Sequence, residues 1–584
     1  MTSAPSVITL DHRREIVLDE ICRVARDDVR VELARETAEM LEARRHEVVA
    51  FVERQHEPAY GFNRGFGHNV GLAVDDDAEL LDLLQLNLIR SHAAGVGPAA
   101  PREVVRATML LRAASLSRGY SGVRPQVVQQ IVALLNAGIT PYVPRHGSVS
   151  ASGDLCPLSH VALVLLGEGD VLDEQGERVP AAPALEAAGI APLRLQMKEG
   201  LALNNGTQYL TAIGILAAEE LREQLRVAGI ATALGAQVML GSAQPFRADL
   251  HERRPHRGAL VVASWLRALL ERSPIQDVHA DKSIDGEVQD PYNLRCAAQI
   301  LGSCYDLVEE ARATFAVEAN SVTDNPLILE SDGLHIDIVS GGHFHGMPIA
   351  IKVYGLIQAM AIMARLSNMR CARYVDEARN KGLGSDLVWP EIDDGVRATS
   401  SGLMAAEYTS ASLVNYIWGH STPSHLFSVS TDAGQEDHVS MGAPLALRVL
   451  ECLPRCAEVL AVELCFAAQA AAIRKVSDHF PSKAEIPAAS NTVRRAFERA
   501  MQEAIELEEG RPVEVEVSIK KRYPWTEHDR RLSHPSEAVL DLIGRHFAPV
   551  TEDRSISREL GAVATLVRSG AISAAAAEFV DLDD

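Results

Sequence analysis

Residues 147–160 read GSVSASGDLCPLSH, and the small side chains in that run are the first sign of chemistry in this chain. Gly153 lets the backbone curl where a side chain would clash. On spacing alone, Ala151-Ser152-Gly153 makes a tight turn ahead of a helix that begins near Leu155, with Asp154 in the N-cap position. Ser152 does not sit in a nucleophile elbow, because Ser-Ala-Ser-Gly lacks the required glycine spacing, so a serine hydrolase is disfavoured. Two other stretches, 57–70 (EPAYGFNRGFGHNV) and 339–347 (VSGGHFHGM), also lack periodicity and are rich in glycine and aromatic residues. Loops of this kind on a rigid scaffold are where chemistry tends to sit. Gly65-Phe-Gly67 and Gly95-Val-Gly97 are isolated and lack the strand–turn–helix setting of a nucleotide-binding loop. Cys452 and Cys456 have no second pair at ligand spacing, so they read as buried thiols and no metal is expected.

The elements that must position these loops are mostly helical. Segments 32–56, 209–240, 296–318, 347–378, 402–418 and 441–475 carry apolar residues at three- and four-residue steps. Long apolar helices must bury most of their circumference, which predicts a bundle completed by identical neighbours. Strands are expected near 5–10, near 334–339 and at 513–519, where Val513, Val515, Val517 and Ile519 alternate with polar residues. The apolar stretch Val459–Ile473, interrupted by Glu463 and Gln469, is expected to be too short for a bilayer. The chain has 584 residues with 56 Lys+Arg against 79 Asp+Glu, a formal charge of −23. That balance argues against nucleic acid and anionic membranes as partners. Eight irregularly spaced cysteines and an N-terminus without a signal-peptide pattern point to a cytoplasmic protein.

The whole run around Ser152 resembles the histidine and phenylalanine ammonia-lyase family, in which an internal Ala-Ser-Gly cyclises into a methylidene-imidazolone (MIO). Tyr60–Gly67 resembles that family's tyrosine loop, and Gln85–Gly97 its substrate-selectivity segment. Lys198–Thr207, Gln289–Cys296, Asp324-Asn325-Pro326, Ser340–His345 and Gln435–Met441 follow in the family's order. The resemblance implies a mainly α fold with a small N-terminal lobe carrying the MIO and a long central helical bundle. It divides the chain into residues 1–205 with the tripeptide, 206–480 with the long helices, and 481–584 as a C-terminal lobe. A segment near 482–535 looks inserted relative to compact histidine lyases. A homotetramer is implied, with sites built from three subunits, so that Tyr60, the MIO and Arg295 would not meet within one isolated chain.

Elimination from an α-amino acid faces a poor leaving group and a weakly acidic β-hydrogen, and unmodified side chains supply no electrophile. The resemblance assigns that task to an MIO formed from Ala151, Ser152 and Gly153. It makes Tyr60 the base that removes the β-proton and places Tyr292 beside the MIO. Arg64 is a departure that could lower the Tyr60 pKa. Arg295 would pair with the substrate carboxylate in the bidentate geometry that guanidinium offers. Asn205, Gln289 and Asn325 would hold the substrate's polar end, with Gln435 and Glu436 in the motif that completes the site, and Phe344 would close the pocket.

His92 occupies the position where histidine- and tyrosine-acting relatives carry histidine, and phenylalanine-preferring ones carry an apolar residue. A polar aromatic amino acid, histidine or an analogue, is therefore the expected substrate, with a urocanate-type product. Departures remain: Tyr416 stands where histidine-acting relatives have glutamate, Lys381 where a small residue is usual, His343 where asparagine is, and Asn204 where an aliphatic residue is. A pocket reshaped in this way leaves open a betaine such as ergothioneine losing trimethylamine, with Tyr416 and Trp418 facing the quaternary ammonium. It also leaves open a tyrosine-type lyase or a 2,3-aminomutase.

Overall fold

The computed structural model describes residues 7–55, 60–62, 64–65, 78–280, 289–330, 336–392, 394–477 and 525–582. It divides into two compact units, each assembled from three separate stretches. The first comprises Met1–Glu219, Glu309–Leu356 and Thr422–Leu450; the second comprises Glu220–Val308, Ile357–Ser421 and Glu451–Asp584. Four of the boundaries fall inside the long helices Gln208–Val238, Ala297–Ala319, Met347–Val375 and Gly442–Val476. Composition does not change along such a helix, so a division into consecutive segments does not mark these units.

In the first unit, strand Val7–Leu10 pairs in parallel with Arg30–Leu33, and the helix Leu18–Arg26 makes the crossover that parallel pairing requires. That helix is amphipathic and buries Ile21, Val24 and Ala25. The pairing also corrects the helix expected over 32–56: its first residues belong to the strand, and the helix runs Arg35–Gln55. A strand partner far away in sequence overrides local helical pattern. The helix Arg102–Ser117 is buried from Val104 to Ser117 and forms the centre of this unit. Strand Val96–Ala99 pairs antiparallel with Pro144–His146, and Leu327–Glu330 with Ile336–Val339, close to the expected 334–339 strand.

The second unit is helical, and its interior is more polar than the sequence pattern suggests. Arg370 makes a two-pronged ion pair with Glu463, and both side chains are fully buried. Gln469 donates to the carbonyls of Leu387 and Val550 and accepts from the Val550 N–H. These partners explain why Glu463 and Gln469 do not end the apolar stretch. It belongs to the helix Gly442–Val476, which, like Met347–Val375, is long and apolar enough to cross a membrane by length and composition. In Gly442–Val476, however, 83% of the most apolar window is buried within the protein. The expected strand at 513–519 lies outside the described residues, as does most of the segment near 482–535 expected to be inserted. Trp525, near its end, is described: it is buried, packs with Leu240 and Ile275, and its indole N–H donates to the Ser477 carbonyl at 2.9 Å.

Candidate active site

The tripeptide ends where the helix Leu155–Leu165 begins, so the positive end of that helix faces Gly153. Gly153 has φ +73°, and a Cβ built on it would stand 2.3 Å from the Gly206 carbonyl oxygen. Only glycine satisfies both the left-handed backbone and that approach. Gly153 and Gly206 form a parallel bridge, with the Asp154 N–H donating to Gly206 O at 2.7 Å. Ser152 is gripped at both of its oxygens. Asn205 Nδ2 donates to its carbonyl at 2.8 Å, and its hydroxyl donates to Glu436 Oε1 at 2.7 Å. Glu436 is held in turn by the Thr431 hydroxyl at 2.5 Å. The MIO implied by the resemblance fits this arrangement, because ring closure retains the Ser152 carbonyl that Asn205 holds and discards the hydroxyl that Glu436 holds.

Asp154 is the site residue that sequence reasoning undervalued. It occupies the N-cap position, yet its carboxylate makes no cap bond to its own helix. It accepts from Ser148 Oγ at 3.1 Å, Ser150 Oγ at 2.9 Å and the Leu210 N–H at 2.8 Å. Burial pushes its pKa up to about 6 against the pull of those donors. Ser150 is buried with φ +52°, a strained conformation for a non-glycine residue, and is fixed from several sides. Besides reaching Asp154, its hydroxyl accepts from the Ala443 N–H, and its carbonyl accepts from the Ser440 hydroxyl. The only signal in sequence was an acidic residue directly after a small-residue run.

A second set of contacts, centred on Gln85, holds the remaining candidates of this unit. Gln85, buried on the helix Ala78–His92, donates to Gly61 O at 3.1 Å and accepts from the Gly200 and Leu201 N–H groups. It thereby ties the Tyr60 loop to the start of the helix Glu199–Asn204, whose C-cap is the Asn205 that grips Ser152. Leu201 to Asn205 spans about 6 Å of helical rise, so the Tyr60 loop and the tripeptide are one short helix apart. Gly61, at φ +80°, lies against Leu201, Lys198 and Pro326, leaving no room for a Cβ. Lys198 donates to Asp324 Oδ2 at 2.7 Å, with both side chains fully buried; burial lowers the Lys198 pKa and Asp324 raises it. Asn325 Oδ1 accepts from the Gly341 N–H at 2.8 Å. Arg64 Nε is buried with no hydrogen-bond partner among the described residues.

His92 ends the Ala78–His92 helix with Nδ1 2.8 Å from the Leu88 carbonyl. A carbonyl only accepts, so Nδ1 carries the proton of this contact. Phe344 is half-buried and Gln435 is exposed.

The other candidates belong to the second unit. Gln289 and Tyr292 are exposed, Tyr292 at 68%. The Arg295 guanidinium stands 5.0 Å over the Tyr292 ring, and its Nε is buried with no hydrogen-bond partner among the described residues. Lys381 is buried, with Nζ donating to Leu240 O at 2.6 Å and lying 3.9 Å from Asp290 Oδ1, so its ammonium is committed to the protein's own oxygens. Tyr416 stacks on His420 with ring centroids 4.2 Å apart, and Arg365 lies over Trp418. Both rings suggested for a quaternary ammonium thus have a neighbour of their own. All eight cysteines are free thiols.

The family model for aromatic amino acid lyases matches residues 16–499. The histidine ammonia-lyase of Gloeobacter violaceus is 42% identical over 461 residues, 79% of this chain and 86% of that protein. Among solved structures, tyrosine aminomutase from Streptomyces globisporus superimposes with a TM-score of 0.81 at 30% identity, covering 98% of this chain and 99% of the other. Histidine ammonia-lyase from Trypanosoma cruzi gives 0.78 at 29% identity, covering 98% and 96%. The chain belongs to the aromatic amino acid lyase family and shares its mainly helical fold. It is a carbon–nitrogen lyase of the ammonia-lyase class.

Proposed function

We propose that this enzyme eliminates ammonia from histidine or a close analogue with a polar aromatic ring, releasing a urocanate-type product. The observation that carries the reading is the double grip on Ser152 by Asn205 and Glu436 beside a glycine that admits no Cβ. When formed from Ala151, Ser152 and Gly153, an MIO supplies the electrophile that makes the substrate's amine a leaving group. Asn205 holds the retained carbonyl and draws electron density from it. Glu436 holds the hydroxyl that leaves as water. Tyr60 removes the β-proton. Arg295, whose buried Nε–H has no partner among the described residues, pairs with the substrate carboxylate, and Tyr292, Gln289, Asn325 and Phe344 line the remainder. His92, whose Nδ1 is committed to the Leu88 carbonyl, presents Nε2 to an imidazole or phenol ring.

The relatives named histidine ammonia-lyase at 42% identity support the ring preference. The residues fall in two units, and we infer a cytoplasmic homotetramer in which copies of the chain share them. The mass of the tryptic peptide His146–Arg178 tests the first step: a deficit of two waters is expected, and the unmodified mass would refute it. A panel of histidine, its betaines, tyrosine and phenylalanine tests the substrate. The likeness to a tyrosine aminomutase over nearly the whole chain keeps a second reading in play. In that reading ammonia is re-added, and a β-amino acid accumulates in place of the acrylate.

A further inference from the structure

The turn that follows His92 is held by the same helix that follows the tripeptide. The Gly95 N–H donates to His160 Nε2 at 3.2 Å. Cys156 and His160 are four residues apart on Leu155–Leu165 and therefore share a face. A Cβ built on Gly95 would stand 3.1 Å from Cys156 Sγ, His160 Nε2 and Pro144 Cβ, so the turn is closed against all three. On the other side of the sulfur, a Cβ on Gly147 would come within 2.4 Å of Cys156 Sγ. Gly147 follows the strand Pro144–His146, which pairs with Val96–Ala99 and leads into the tripeptide. The stretch carrying His92 and the stretch carrying Ser152 thus converge on one helical face.

We propose that Cys156 and His160 are positioning residues for substrate selectivity, setting how far His92 stands from the Ser152–Gly153 backbone. The inference rests on the reading of His92 as the group that meets the substrate ring. A rigid helix rooted directly after Gly153 acts as a spacer between ring recognition and the reacting atoms. The contact requires a lone pair on His160 Nε2, so the proton of the neutral ring is on Nδ1. Burial and the nearby Arg178 hold His160 below its ordinary pKa, while Asp170, ion-paired to Arg178 at 2.6 Å, opposes them. No side chain in this device touches substrate in the reading above. Its effect is geometric, and a displacement of about 1 Å in a site can cost about 100-fold in rate.

The test compares kcat/KM for the preferred polar-ring substrate with that for phenylalanine in four variants. His160→Leu fills the space but cannot accept, His160→Gln keeps an acceptor, Gly95→Ala pushes the turn outward, and His92→Ala is the reference. His160→Leu and Gly95→Ala are expected to lower the selectivity ratio about tenfold, mainly through KM of the polar-ring substrate, and His160→Gln to recover most of it. The tripeptide mass and the melting temperature are read alongside, and Gly95→Ala carries the comparison if His160→Leu does not fold. If His92→Ala collapses the ratio while His160→Leu and Gly95→Ala leave it intact, the positioning role is wrong and the His92 reading stands. If His92→Ala itself leaves the ratio unchanged, the His92 reading fails and this inference falls with it.

Discussion

Asp154→Asn removes a buried charge that three donors address, and the outcome turns on pH. The native carboxyl is raised from 3.8 to about 6 because burial outweighs its hydrogen bonds. Between those values the folded protein holds a proton that the unfolded chain has released. Stability contributed by this group is therefore present at low pH and lost as pH rises towards 6, after which it is flat. The rise from 3.8 to about 6 corresponds to about 3 kcal/mol, a large part of a typical folding free energy of roughly 5–15 kcal/mol. Asparagine has nothing to titrate, but it offers one acceptor oxygen to the Ser148 and Ser150 hydroxyls and the Leu210 N–H. Leaving a buried donor unpaired costs about 1–3 kcal/mol. The variant should thus be the less stable protein at about pH 4.5, and the gap should narrow by about 2 kcal/mol by about pH 7, part of the change having already occurred below about pH 4.5. Urea denaturation across that range, at one fixed protein concentration because the enzyme is inferred to be oligomeric, measures the difference. Parallel curves for the two proteins would show that Asp154 does not carry a raised pKa, and the argument from burial would fail.

Glu436→Gln keeps a hydrogen-bond partner for Ser152 but removes the charge, so the two-water mass deficit in peptide His146–Arg178 should form slowly or incompletely. A full deficit at the wild-type rate would remove Glu436 from that step. Arg295→Lys replaces a two-pronged partner by a point charge, and KM should rise about 10–100-fold with a smaller change in kcat, read from initial rates. An unchanged KM would place the carboxylate elsewhere. Lys198→Met strands the buried Asp324 carboxylate, and equilibrium unfolding should show a loss of about 3–5 kcal/mol. Adding Asp324→Asn to that variant should recover part of it.

The long helices were legible because their apolar periodicity is local information. The expected 209–240, 296–318, 347–378, 402–418 and 441–475 correspond to Gln208–Val238, Ala297–Ala319, Met347–Val375, Met404–Gly419 and Gly442–Val476. What failed depended on partners distant in sequence. Arg30–Leu33 became a strand because Val7–Leu10 lies beside it, and Glu463 was read as an interruption because Arg370 is 93 residues away. The same blindness affected the site. Ala151-Ser152-Gly153 was visible as a run of small residues, whereas the role of Asp154 comes from donors at 148, 150 and 210. Lys381 stands out in sequence as a departure from a small residue, whereas its acceptor, Leu240 O, lies 141 residues earlier.

The hydrogen bond between Trp525 and Ser477 has a consequence for the history of this chain. Ser477 and Trp525, the described residues on either side of 478–524, are joined by the Trp525 indole N–H donating to the Ser477 carbonyl at 2.9 Å. A connection whose ends already meet can gain or lose length without asking anything of the helices around it. Loop-closure entropy changes by only about 0.6 kcal/mol for each doubling. Cutting the 478–524 connection to a quarter would therefore gain only about 1.2 kcal/mol from closure. The junction is a graft point, where extra sequence can be acquired or exchanged at little thermodynamic cost while Trp525 keeps its seat against Leu240 and Ile275.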